Sequence, residues 1–338
     1  MKKLILGFLT ISLITLSTCT DNPVTDDTLQ PGRRDYIWTV DTLKVPEGRA
    51  IPSWLWGTDK NNIWAVGTSY TNAYAIWHFN GSSWKNYVPD AYVDPRGLWG
   101  SSSNDIWTGS TDGSIWHYNG TKWSKYSVIN IPGYQTFIVQ SIAGSAANNV
   151  YAVGFADSID GITYKGILVH YNGIEWQQVN IPIIRNSFVQ IMFDDASRRV
   201  IFKGWEFDKP DEYIYSFNGK ELKNIFHTIE GIDLSSIGKN IYAKTNFKLY
   251  KYQNESFSIF KDFSSTNSEG GTWGRSEIDF FTINSDGIGH FNGTDLITIF
   301  QKKNNDWSPD GAIIFEKDVF FIWNDSFNTF VIHGHLTN

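Results

Sequence analysis

The chain has 338 residues, 28 of them Lys or Arg against 35 Asp or Glu, for a formal charge of −7, and aromatic residues make up 16% of it. So much aromatic area beside only 19% charged residues excludes a disordered chain. An acidic balance without clustered Lys or Arg excludes the electrostatic footprint of a nucleic-acid binder.

The chain opens MKKLILGFLTISLITLSTC, two lysines ahead of an apolar run. The run is too short to cross a bilayer of ~30 Å as a helix, so residues 1–18 read as a secretory leader. Leu16-Ser17-Thr18-Cys19 resembles the lipobox of bacterial lipoproteins, with Thr18 where Gly or Ala is more usual. The resemblance implies that Cys19 is lipidated and becomes the mature N-terminus. Cys19 is also the only cysteine of the chain, which excludes disulfides, CxxC redox pairs and Cys-rich metal sites. Residues 20–34, TDNPVTDDTLQPGRR, are polar and aperiodic and read as a flexible tether. The expectation is a lipid-anchored protein of the bacterial cell envelope, at the outer membrane or cell surface.

Self-similar units follow. "WLWGTDKNNIWAVGTSYTNAYAIWHFNGSSWKNY" begins at Trp54, "GLWGSSSNDIWTGSTDGSIWHYNGTKWSKY" at Gly97 and "SIAGSAANNVYAVGFADSIDGITYKGILVHYNGIEWQQV" at Ser141. Weaker copies begin at Ile191, Gly231, Gly271 and Gly311, and Asn-Gly steps start at 80, 119, 172, 218 and 292. Each unit parses into four short strands. The Asn-Gly step joins the third to the fourth, read as a tight hairpin with both turn residues at positive φ. Such units cannot bury their faces alone and must stack. Four-stranded units of this length predict an all-β, seven-bladed β-propeller over residues 35–338. Tryptophans, each burying ~150–250 Å², would fill the wedges between blades. The seventh unit stops after its third strand, Phe330 to Leu336. The segment DYIWTVDTLKV (35–45) looks like an orphan fourth strand, with Trp38 in the place of Trp84, Trp123 and Trp176. The N-terminal strand is therefore expected to complete the last blade and remove two open edges.

The units resemble the degenerate Asp-box (BNR-type) repeats of bacterial β-propeller proteins, a repeat type sometimes labelled glucosyltransferase. "HYNGTKW" keeps only the Gly-x-x-Trp half of the Ser-x-Asp-x-Gly-x-x-Trp spacing, a departure that weakens any inference to sialidases. The resemblance implies the architecture and leaves the activity open, because propellers host unrelated functions.

Residues recurring at one place in several units are read as structural. This covers His78, His117, His170, His290 and His333 on the third strands, and Trp64 and Trp107 on the second. His333 and His335, two apart on one strand, form a possible ligand pair. Otherwise no metal and no cofactor is expected. Almost all length variation falls between strands two and three or between blades, at 88–96, 131–137, 156–165, 205–212 and 301–310. Both kinds of connection emerge on one face, where binding residues gather. The candidates there are Tyr92, Asp94, Arg96, Tyr134, Asp157, Asp160, Tyr164, Arg185, Trp205, Glu206, Asp208 and Trp307, with Trp273, Trp56 and Trp99 considered for the channel mouth. Aromatic faces beside carboxylates and arginines suit a glycan or a peptide. P-loop, Gly-x-Gly-x-x-Gly, Gly-x-Ser-x-Gly and Asp-x-Asp motifs are missing. Asp157 with Asp160, or Asp208 with Asp211, could be the two carboxylates of a glycosidase or lyase. The leading expectation is a binding or scaffolding module for glycan or envelope protein. The alternatives are a carbohydrate-active enzyme and a purely structural assembly partner.

Overall fold

A computed structural model of the protein describes residues 30–337, apart from 47, 71, 160, 162 and 304–307. The leader, Cys19 and most of the tether lie outside the described residues, as do Asp160 and Trp307.

The second strand of each unit is buried or half-buried almost throughout, as in Ile63-Trp64-Ala65-Val66 and Val319-Phe320-Phe321-Ile322, whose residues are buried on both sides. The fourth strands, such as Trp84–Tyr87, mix half-buried and exposed residues because they form the rim. Strands pair antiparallel in chain order, from the axis outward. The blades are 50–87, 95–128, 134–178, 187–228, 232–262, 268–301, and 308–336 together with Tyr36–Leu43. The fold is a seven-bladed propeller. Its N-terminal strand pairs with Thr329–Leu336 from Tyr36↔Leu336 to Leu43↔Thr329 and so supplies the outer strand of the seventh blade. Trp38 faces Gly334, the register that Trp84, Trp123 and Trp176 occupy opposite Phe79, Tyr118 and Tyr171. A Cβ on residue 334 would stand 2.7 Å from the indole of Trp38, so glycine is required beneath it.

Aromatic side chains of one blade wedge into the next. Trp64 packs on Tyr118 and Trp123 with ring centroids 4.7 and 5.6 Å apart, and Trp107 on Tyr171 and Trp176 at 5.0 and 5.7 Å. At the closure, Phe281 meets Tyr36 at 5.8 Å and Phe320 meets Phe79 at 5.8 Å. Blades five and six are further joined by a parallel backbone bridge between Ile237 and Gly274, with Gly238 N donating to Gly274 O at 2.8 Å.

Two expectations are corrected. The Asn-Gly steps open four-residue loops in which only the glycine has positive φ, 89° at Gly81 and 90° at Gly120. Asn80 instead accepts the N–H groups of Ser82 and Ser83 on its side-chain oxygen, both at 3.1 Å. This Asx turn satisfies the loop without a left-handed asparagine. The end of the segment read as tether is docked rather than free. Arg34 donates to the carbonyls of His290 and Asp295, each at 2.8 Å, and forms an ion pair with the Asp295 carboxylate.

Candidate functional site

The recurring histidines share one arrangement. Nε2 of His78, His117, His170, His290 and His333 pairs with Asn62, Asp105, Asn149, Asp279 and Asp318 respectively, at 2.6–2.8 Å. Each ring also lies on the aromatic residue of strand two, as His117 does on Trp107 at 4.1 Å. Burial lowers the pKa of His290, which is fully enclosed, against the opposing pull of Asp279. These are braces within blades. His333 and His335 both turn to Asp318 Oδ1, at 2.7 and 2.9 Å, and Lys60 lies 3.4 Å from Oδ2. Asp318 is the acidic neighbour that spacing did not reveal, and the ammonium beside it opposes a bound cation. Among the described residues no group of three or more metal-holding side chains occurs.

The candidates on the loop face separate into groups. On blades three and four, the ring of Phe207 lies 4.2 Å from Tyr164, 4.5 Å from Trp205 and 5.3 Å from Phe155. The loop is shaped by its own bonds: Glu206 N donates to Asp211 O and Lys209 N to Glu206 O, both at 3.3 Å. Phe207 N donates to the Tyr164 hydroxyl at 2.7 Å, and Lys209 neutralises Glu206 at 2.9 Å. Phe207 remains 40% exposed, so the cluster presents an aromatic surface with a charged margin. Tyr134 stands on the same blade edge with the Lys165 ammonium 5.3 Å over its ring. Asp157 faces Tyr164 across the strand pair, and Arg185 and Asp208 are exposed. Asp211 is engaged by His227 Nε2 at 2.6 Å, which removes it as a free partner for Asp208.

On blade two, Asp94 accepts from Thr111 Oγ1 at 3.0 Å and lies 3.7 Å from Arg96, whose guanidinium sits 5.9 Å over Trp54. Tyr92 is exposed on the same connection.

The third group lies on the axis. A cavity of about 300 Å³ is lined by inner strands of blades one, four, five, six and seven, with Trp54, Trp273, Asp233 and Asp310 in its wall. Trp273 is therefore at the channel. Trp56 and Trp99 pack between blades, where a Cβ on Gly100 or Gly144 would meet them at 2.6 or 2.9 Å. Gln190 also lines the cavity but is committed to the backbone of Leu234, donating to its carbonyl at 2.6 Å and accepting its N–H at 3.0 Å. Asp310 accepts from Asn324, and burial pushes its carboxyl above the usual range.

Sequence reasoning missed Phe207, Phe155, Trp54 and two lysines. Lys203 and Lys244 hold the strand-two register that other blades give to Val66, Val153, Ile283 and Ile322. Lys244 is 2% exposed and donates to Ser268 Oγ at 2.5 Å, Gly270 O at 2.7 Å and Thr282 Oγ1 at 3.0 Å. Burial lowers its pKa to about 8, partly countered by Asp233 and Glu269. Lys203 donates to Ile232 O at 2.5 Å and pairs with Glu212 at 3.0 Å. The departure from an aliphatic register was the readable signal.

No protein-family model matches this chain, and no curated protein matches it by sequence. Solved structures match by fold. The chain is similar to YCF48 bound to D1 peptide, with a TM-score of 0.63 at 13% identity, over 89% of this chain and 97% of that one. It is similar to YCF48 from Cyanidioschyzon merolae, with a TM-score of 0.60 at 11% identity, over 88% and 98%. It also resembles the extracellular domain of the putative one component system BT4673 from B. thetaiotaomicron, with a TM-score of 0.55 at 14% identity, over 85% of this chain and 41% of that one. At these identities the likeness establishes the β-propeller fold of the chain.

Proposed function

We propose that the protein is an exported binding module whose loop face docks a peptide segment of an envelope protein. The observation that carries this reading is the distribution of exposed large apolar side chains. Tyr70 and Phe327, Tyr92, Ile159 and Ile183, Phe207, Ile229 and Phe247 all belong to connections of the loop face. The short-turn face has Ile174 and Ile278, and Ile37, Tyr126, Val128, Ile259 and Ile297 are spread over the outer strands of blades two, five, six and seven. This excess of apolar groups on one face of a rigid disc over the other favours a protein partner over a glycan, and the aromatic cluster around Phe207 is the natural anchor. The peptide carried by the similar YCF48 structure supports this choice, and the extracellular neighbour supports an exported location. The lipobox-like Leu16–Cys19 supports residues 1–18 as leader and 19–34 as lipidated cysteine and a tether whose last residue, Arg34, is held on blade six, with 35–338 as the displayed propeller.

The test is selection of a random displayed peptide library on the full chain, beside a glycan array, with Phe207→Ser as the comparison. Selected peptides should bind the variant about tenfold more weakly, as truncation of an aromatic anchor costs more than 1 kcal/mol. Its melting temperature should stay that of the wild type. No enrichment, or equal binding by the variant, overturns the peptide reading. Glycan binding abolished by the substitution would establish the sugar reading instead.

A further inference from the structure

We propose that the axial pocket takes a basic side chain, lysine or arginine, from the segment docked on the loop face. This rests on the docking role above. Each inner strand runs from the loop face to the short-turn face, and the wall residues fall in the early or middle part of these strands: Ser53–Leu55 within 50–59, Asp233 within 232–237, Gly271 within 268–276 and Asp310 within 308–314. The pocket therefore lies in the half of the channel nearer the loops. Toward the other end, the Ile237–Gly274 bridge draws blades five and six together.

The charges that face the space are carboxylates. Among the described residues Asp233 and Asp310 have no ion pair, and the only side-chain partner of Asp310 is Asn324. The cations behind the wall are hydrogen-bonded elsewhere, although the field of Asp233 also helps hold the charge on Lys244. Arg96 faces Asp94, Lys203 faces Glu212, and Lys244 donates to three neutral oxygens. Arg49 donates to Asp325 O at 2.7 Å, and its field reaches Asp310 without outweighing burial. Trp273 supplies an indole ring, which attracts cations through its face, while Trp54 already carries the Arg96 guanidinium over its ring. The axial edge of most inner strands has no neighbouring strand, so backbone carbonyls there can accept from an ammonium or guanidinium. A cavity of about 300 Å³ suits one side chain better than a large ligand.

The experiment is calorimetric titration of the full chain with Nα-acetyl-arginine amide and Nα-acetyl-lysine amide, with the neutral Nα-acetyl-citrulline amide as control. At least one cationic amide should bind saturably, and the citrulline amide about tenfold more weakly. Asp310→Asn and Asp233→Asn, which keep side-chain volume, should each weaken the cationic probe by about tenfold. Phe207→Ser should leave it unchanged. Absence of binding, equal binding of the citrulline amide, or indifference to both Asp substitutions overturns the pocket assignment. The two readings fail separately. Peptides that need Phe207 but no cationic amide binding would leave docking intact, and amide binding without selected peptides would leave the pocket intact.

Discussion

Lys244→Met isolates a buried charge from its surroundings. In the fold the ammonium is enclosed between blades five and six, donates only to neutral oxygens and has a pKa of about 8 against 10.5 when unperturbed. Holding it charged at pH 7 therefore destabilises the fold by about 3 kcal/mol. The sign follows from proton uptake. Between pH 8 and 10.5 the unfolded chain binds the proton that the native chain has released, so this contribution to stability rises with pH. The penalty is complete below 8 and relieved by 10.5. Methionine fills the space of the aliphatic stem, and Ser268 and Thr282 retain their mutual hydrogen bond at 2.8 Å. Urea midpoints of the wild type and Lys244→Met should be compared from pH 7 to pH 10.5. The stability of the variant relative to the wild type should be greatest at pH 7 and shrink by about 3 kcal/mol toward pH 10.5. Tyrosines that titrate in both proteins cancel in the difference. A gap that stays constant, or widens with pH, would refute the assignment of a buried cation that its surroundings compensate only in part.

Gly154→Ala would place a Cβ 1.9 Å from Ile138 O and 2.9 Å from the Phe137 ring, so the inner and second strands of blade three must separate. A loss of about 1–3 kcal/mol is expected in urea unfolding, and an unchanged midpoint would contradict the close strand approach. Cys19→Ala should move the full chain from the membrane fraction to the soluble fraction of fractionated cells, since a single cysteine bears the whole proposed anchor. Persistent membrane association would argue against lipidation there.

The architecture was legible because a propeller repeats its packing problem seven times. Trp64 and Trp107 recur for the same reason, to fill the space against the outer strands of the next blade, and the orphan strand around Trp38 betrayed the closure. The turn chemistry was half legible: Gly81 and Gly120 were required, but the role of Asn80 as an acceptor depends on local bonds that the dipeptide alone does not specify. The site was less visible. Tyr164 and Trp205 are among the candidates and both pack on Phe207, yet Phe207 itself, the ring that joins them, is hidden among charged neighbours in the sequence. Trp54 and Trp273 both reach the axis, while the similarly placed Trp56 and Trp99 turn between blades. Strand alternation alone could not separate these, because the wall depends on how five inner strands tilt together.

Blades four and five explain where the ring loses its symmetry. Five blades hold strands two and three together with a histidine on an Asx residue, and these two do not. In blade four the first residue of strand two is Arg199, which reaches Ser216 at 3.4 Å and then Glu255 of blade five at 2.5 Å. In blade five, Lys251 and the Tyr242 hydroxyl both meet Glu277 of blade six, at 2.6 and 2.7 Å. Lys203 and Lys244 repeat the exchange deeper in, each donating to a backbone carbonyl of the following blade. Polar bonds between blades have replaced both the internal brace and part of the apolar wedge along the arc from blade four to blade six. Burying such groups stabilises less than aromatic packing, so a purely structural ring gains little from them. They are directional, however, and fix how one inner strand lies against the next. That arc includes Gln190, Asp233, Gly270 and Trp273, much of the axial pocket wall. The same substitutions that spoil the repeat thus hold the wall of the pocket in place.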